Sequence, residues 1–163
     1  MNISSSPTQS TEINGLIASV TRNKEEGILG RFLEANRWYV LAKYLRPASL
    51  PRGHLLISEG ATDRKLYFLE SGSLKVDIKT ESGLKQLSIL GPGTVAGEGS
   101  FFTHLPRNAS VTAFTDCKVW ELTPDDFAEL SLQSPHVALA LSMALGAILA
   151  TRMLDMSKRV AIT

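Results

Sequence analysis

The chain has 163 residues, 44% of them hydrophobic and 20% charged, with a formal net charge of +1. That length and balance suit one soluble domain with a sizeable core, and the near-neutral charge supplies no global field to hold a nucleic-acid backbone. The single cysteine, Cys117, excludes an intrachain disulfide framework and suits a reducing compartment.

In chain order, "MNISSSPTQSTEING" is polar and rich in Ser and Thr, without the basic start and apolar run of a signal peptide. Residues 1–23 are therefore expected to form a mobile polar tail. Residues 24–45 carry Ile28, Phe32, Ala35, Trp38, Leu41, Ala42 and Leu45 at three- and four-residue steps, which predicts one helix. "RPASLPRG" breaks it with two prolines and a glycine. Short alternating segments follow. "HLLI" precedes Glu59-Gly60, "KLYFLESGSLKVDIK" reads as a hairpin around Ser71-Gly72, and "KQLSIL" ends at Gly91-Pro92-Gly93. "NASVTAFTDCKVWEL" reads as two more strands with a turn near Thr115-Asp116, and within it Cys117 reads as a small buried residue. Short strands with regularly spaced glycine turns predict a barrel or jelly roll over about residues 48–122.

Helical signals return after the strands. Thr123 is placed to cap a helix with Pro124 at its first position and Asp125 and Asp126 in its first turn. Ser134-Pro135 repeats the cap-then-proline signal and opens a long helix to about Lys158. Its apolar run, residues 137–150, falls short of the ~20 residues of a membrane span, so no membrane association and a cytoplasmic location are expected.

The chemistry concentrates in "GEGSFFTHLPRNASV", residues 97–111, where one carboxylate, Glu98, and one guanidinium, Arg107, stand among small and apolar residues. Gly97 permits a tight backbone approach. A helical turn from Glu98 would leave the amides of Gly99 and Ser100 pointing outward as an anion site. Arg107 offers a planar fork of donors, Ser110 a hydroxyl, and Glu98 an acceptor for a ligand hydroxyl. Two readings stay open on these residues alone: a Glu98–Arg107 ion pair that pins a loop, or a site for a sugar phosphate.

The stretch resembles the phosphate-binding cassette of the cyclic nucleotide-binding domain family, which reads roughly G-E-x-(small)-(apolar), a variable loop, then P-R-x-A-(S/T)-V. Gly97, Glu98, Ser100, Phe101, Pro106, Arg107, Ala109, Ser110 and Val111 match that pattern. "ISEG", "YFLESGSLKV" and "LGPGTVAGE" extend the likeness, which covers about residues 31–159. The resemblance implies a mainly β fold over residues 24–163: a jelly-roll β-barrel with an N-terminal helix and two C-terminal helices at about 124–158. It also implies that Glu98 binds the ribose 2′-hydroxyl and that Arg107, with the amides near Gly99 and Ser100, binds the cyclic phosphate. Asn108 departs from the family's usual Ala, Ser or Thr and leaves cAMP against cGMP open. His104 falls in the variable loop.

Aligning the family's C-terminal helix on Pro135 puts Arg152 and Met153 near the purine, Arg152 to stack on or bond to the base and Met153 to cover it; Arg152 as a solvated end of the apolar run is the equal alternative. Ala138, Ser142, Gly146 and Ala150 make a small-residue stripe at steps of four, with Leu141, Leu145 and Leu149 as a neighbouring ridge. A homodimer through this helix is expected, with a downstream protein partner as the output. The chain resembles the family's DNA-binding branch without its helix-turn-helix, so no DNA partner is expected. No cofactor or metal is expected either, because His54, His104 and His136 are scattered and no nucleophile has a recognisable base and orienter. A regulatory binding module, not an enzyme, is the reading; the alternative is an interaction scaffold that keeps the fold and binds no nucleotide.

Overall fold

The computed structural model describes residues 11–24 and 27–161, with side chains as far as Met156. Its body is a pair of four-stranded antiparallel sheets. The first runs β1 (Arg46–Leu50), β8 (Cys117–Leu122), β3 (Leu66–Ser71), β6 (Val95–Ala96); the second runs β2 (Leu55–Ile57), β7 (Ser110–Ala113), β4 (Leu74–Thr80), β5 (Gly83–Leu90). Helices α1 (Asn14–Arg22), α2 (Ile28–Phe32) and α3 (Ala35–Leu41) precede the strands, α4 (Glu98–Thr103) interrupts them, and α5 (Pro124–Gln133) and α6 (Pro135–Ala161) follow. This is a mainly β jelly roll with flanking helices.

The strand segments fall where alternation placed them, but two of the turns do different work. Ser71-Gly72 and Thr115-Asp116 do not close hairpins. Each carries the chain from one sheet to the other, because β3 and β8 pair in the first sheet while β4 and β7 pair in the second. The two corners stack and share bonds: the Phe114 amide donates to Ser73 O at 2.9 Å, and the Ser73 amide to Thr115 Oγ1 at 3.0 Å. Gly72 is required there. Its φ is +86°, and a Cβ would lie 2.2 Å from the Asp116 carbonyl oxygen. β1, read from sequence as a break, is an edge strand, where the missing N–H of Pro47 is tolerated.

β3 is buried on both faces and separates two cores. Phe68 shares the helical-side core with Trp38, Trp120, Leu141 and Leu145, its ring edge-on to Trp38, while Leu69 joins Leu50, Ile57, Leu74 and Val119 between the sheets. Full burial of one such aliphatic or aromatic side chain stabilises by about 1.5–3 kcal/mol.

The helical layer corrects two expectations. The segment read as a mobile tail contains α1, which buries Leu16 and Val20, with Ile13 just before it, and packs on β3. The Ser19 hydroxyl anchors it by donating to the Glu70 carbonyl at 2.6 Å. Residues 1–10 of that tail lie outside the described residues. The single helix expected over residues 24–45 is two short ones. The chain turns extended at Leu33 and Glu34, which drives Leu33 into the core at 2% exposure.

At the C-terminus the Thr123 side chain accepts from the Asp126 amide at 3.1 Å, as its cap position predicts. α6 turns Val137, Leu141, Ala144, Leu145 and Ile148 into the core. The small-residue stripe does not form one outer face. A step of four advances about 40° beyond a full turn, so Ala138 is buried, Ser142 half-buried, and only Gly146 and Ala150 reach solvent. The exposed line is instead Leu139, Met143, Gly146, Ala150 and Met153. By length and composition Pro135–Met156 is long and apolar enough to cross a membrane, longer than the run read from sequence, but its inner face belongs to the core.

Candidate functional site

β6 ends at Ala96 and the chain turns at once into α4. Gly97 makes the turn, with φ +94°, and no other residue fits: a Cβ would lie 2.6 Å from the Lys65 carbonyl oxygen and 2.9 Å from Arg107 Nη1. The amides of Glu98, Gly99 and Ser100 come before the first bond of the helical ladder, from the Phe101 amide to Gly97 O at 3.4 Å. A Cβ on Gly99 would meet open space. These are the amides that the sequence reading expected to lack a partner within the helix. The turn ends at His104, held in the left-handed region at φ +60°.

Arg107 is 4% exposed and is fixed from every side. Its backbone is bonded to the loop after β2: the Gly60 amide donates to Arg107 O, and the Arg107 amide to Ala61 O, both at 2.7 Å. Its guanidinium takes Asp63 in a fork, Nε to Oδ1 at 3.2 Å and Nη2 to Oδ2 at 2.7 Å. Nη2 also donates to Lys65 O at 2.7 Å and Nη1 to Gly97 O at 2.9 Å. The bonds from Arg107 hold the Asp63 carboxyl below the usual carboxylate range. Ser110, at the start of β7, accepts the Glu59 amide at 2.9 Å, which ties the same loop to the cassette.

Glu98 does not pair with Arg107. At 8% exposure, its Oε1 accepts from Nη1 of Arg152, which descends from α6, and Arg152 Nη2 donates to Val95 O at 3.1 Å. The last helix is thus tied directly to the acid of the cassette. A second link runs through Phe101 on α4, whose ring meets Phe127 of α5 edge-on with centroids 5.0 Å apart. Arg64 Nη2 donates to the Phe101 carbonyl at 2.8 Å and steadies the end of α4.

The structure therefore brings Gly97, Glu98, Gly99, Ser100, Arg107, Ser110 and Arg152 into one region. Asn108 is exposed beside Arg107, and Met153 is 68% exposed and does not cover the site. The Glu98–Arg107 ion pair, one of the two sequence alternatives, does not form, because the two ion pairs are Glu98–Arg152 and Arg107–Asp63. Asp63 was missed. It stands in "GATDRKL", where nothing in the spacing marks one loop carboxylate as the partner of an arginine 44 positions later.

A glycine-nucleated turn, the first amides of a short helix, a buried acid and a buried guanidinium thus stand together on a jelly roll. The profile of the cyclic nucleotide-binding domain matches residues 47–134, over half of the chain. A CRP-like cAMP-activated global transcriptional regulator of Mycobacterium tuberculosis is 31% identical over 99 residues, 60% of this chain and 44% of that protein. A cAMP-dependent protein kinase regulatory subunit of Yarrowia lipolytica is 38% identical over 90 residues, 55% of this chain and 24% of that protein. A solved cyclic nucleotide-binding domain from Methylobacillus flagellatus superposes with a TM-score of 0.80 at 21% identity, covering 93% of this chain and 84% of that one. The chain belongs to the cyclic nucleotide-binding domain family. It spans less than half the length of these two curated relatives.

Proposed function

We propose that this domain binds a cyclic nucleotide, cAMP or cGMP, and reports it through α6. The observation that carries the proposal is the Arg152–Glu98 pair. The carboxylate suited to a ribose hydroxyl is the group that holds the C-terminal helix, so ligand and helix compete for one acceptor. The cyclic phosphate takes the amides of Gly99 and Ser100 and the fork of Arg107, and the 2′-hydroxyl takes Glu98. Arg152, released, turns to the purine, with Met153 brought over it. Ligand then shifts a population of helix positions, because it interacts differently with the two states. The Phe101–Phe127 contact carries movement of α4 to α5. Asn108 stands where a donor and acceptor side chain would discriminate between nucleotides. A downstream protein in the cytoplasm would read the changed surface.

The same helix supplies a dimer surface. Leu139, Met143, Gly146, Ala150 and Met153 recur at steps of four and three, the spacing of a coiled-coil seam, and are exposed. A Cβ on Gly146 meets nothing within the chain, so nothing internal requires a glycine that costs a helix about 1 kcal/mol relative to alanine. Close approach of a second helix accounts for it.

One observation favours a second reading. Arg107 is already bonded to Asp63 and two carbonyls, and Glu98 to Arg152. Such self-satisfaction also suits an interaction scaffold that takes no nucleotide. Thermal unfolding with cAMP, cGMP and a cyclic dinucleotide separates the two. A ligand at ~100 times its dissociation constant adds about 2.7 kcal/mol, and Arg107→Ala removes that gain. No stabilisation by any of the three supports the scaffold.

A further inference from the structure

Two side chains adjacent in sequence leave the loop between β2 and β3 for different parts of the site. Asp63 holds the guanidinium of Arg107, accepting from Nε at 3.2 Å and from Nη2 at 2.7 Å. Arg64, the next residue, runs to the C-terminal end of α4. Its Nη2 donates to Phe101 O at 2.8 Å, and its guanidinium carbon lies 5.9 Å from the centre of the Phe101 ring, within cation–π reach. That carbonyl is one that a helix end leaves over. The Leu105 amide, next in the ladder, donates instead to Thr103 Oγ1 at 3.1 Å, and His104 has already turned left-handed. The Arg64 bond thus takes the place of a missing rung. Arg64 Nε, by contrast, is buried with no hydrogen-bond partner among the described residues. Leaving a buried donor of a charged group unpaired is costly, so the carbonyl and ring of Phe101 hold the guanidinium there against that cost.

We propose that Arg64 is a positioning residue that couples the Arg107–Asp63 fork to α5. The inference deepens the sensor reading above and rests on it for its input, because a phosphate that takes the Arg107 fork displaces Asp63. Asp63 and Arg64 are joined by one rigid peptide unit, so displacement of the first moves the second. Arg64 passes the movement to the Phe101 carbonyl. The Phe101 ring, edge-on to Phe127 with centroids 5.0 Å apart, passes it to α5. A competing route runs through the other end of α4, where Arg107 Nη1 donates to Gly97 O at 2.9 Å. The two routes differ in whether Arg64 is needed.

The test perturbs the fork with Asp63→Asn and follows the amide resonances of α5, Phe127 above all, by ¹⁵N NMR, with and without Arg64→Met. Methionine keeps an unbranched apolar stem and a favourable contact with the Phe101 ring, so the fold is retained while the donor is lost. Asp63→Asn alone shifts the α5 resonances. In the Arg64→Met background that shift is lost, a non-additivity that independent structural effects at the two residues do not produce. Arg64→Lys keeps a donor for Phe101 O and a cation over the ring, and restores the response. Titration of cAMP, and then of cGMP, is the second arm: a nucleotide that binds Arg64→Met without moving α5 supports the relay. A response to Asp63→Asn that survives in Arg64→Met overturns the proposal and assigns the coupling to Gly97 O. Resonances of α5 that ignore Asp63→Asn in the otherwise unaltered chain overturn it too. If the unaltered chain takes neither nucleotide while its α5 answers Asp63→Asn through Arg64, the sensor reading is overturned and the relay is supported.

Discussion

Arg152→Ala severs the tie between the last helix and the cassette. The Glu98 side chain is 10% exposed and that of Arg152 25%. Truncating Arg152 leaves a buried carboxylate without this counter-charge and removes the donor to Val95 O. Breaking a fully buried pair costs about 3–5 kcal/mol. Water reaches Arg152, so the ion-pair part falls to about 2 kcal/mol, and the bond to the carbonyl adds about 0.5–1 kcal/mol. The expected loss is about 2–3 kcal/mol, a fall in Tm of roughly 5–10 °C for a domain of this size. Urea unfolding of the ligand-free protein measures it, combined with Glu98→Gln in a double-mutant cycle. The pair predicts a coupling energy of about 1–2 kcal/mol. If the single losses simply add, within about 0.5 kcal/mol, the helix is not held by this contact and the latch reasoning is refuted.

Other consequences follow from the same contacts. Gly97→Ala places a Cβ against Lys65 O and Arg107 Nη1 at a positive φ, so it should cost at least about 1–3 kcal/mol and weaken nucleotide binding together with stability in calorimetry. The Asp63 carboxyl is lowered by its bonds from Arg107, so its contribution to stability is full above the ordinary aspartate value of about 3.9 and is lost as pH falls through the lowered folded value. Asp63→Asn should therefore flatten part of the acid limb of a stability–pH curve; an unchanged limb contradicts the pairing. Met143→Glu puts a charge on the exposed seam of α6 and should give monomers by sedimentation with an unchanged circular dichroism spectrum. A dimer that survives it does not use this face.

The turn was legible because its residues are contiguous: a glycine and an acid open α4, and the arginine that follows bonds back to that glycine. The partners of those charges were not legible. Asp63 lies 44 positions from Arg107 and Arg152 lies 54 from Glu98, and only the folded chain sets such distances. The strands could be read from alternation, but their assignment to sheets could not. Gly72 has the same left-handed turn chemistry whether the strands beside it pair with each other or part to opposite sheets. α1 had a readable signal, Ile13, Leu16, Ile17 and Val20 at helical steps, that the serine-rich segment before it obscured. The break at Leu33 gave no local signal, since neither Leu33 nor Glu34 stops a helix by itself and burial of Leu33 decides the turn. On α6, spacing alone identified a small-residue stripe, and packing into the helical-side core selected a different face for solvent.

The most direct measurement is a crystal structure of the domain with cAMP or cGMP bound. The phosphate is predicted on the Gly99 and Ser100 amides and Arg107, the ribose 2′-hydroxyl on Glu98, and Arg152 parted from Glu98 with α6 displaced. A nucleotide seated in the cassette while the Arg152–Glu98 pair and the position of α6 are unchanged would contradict the proposed signalling.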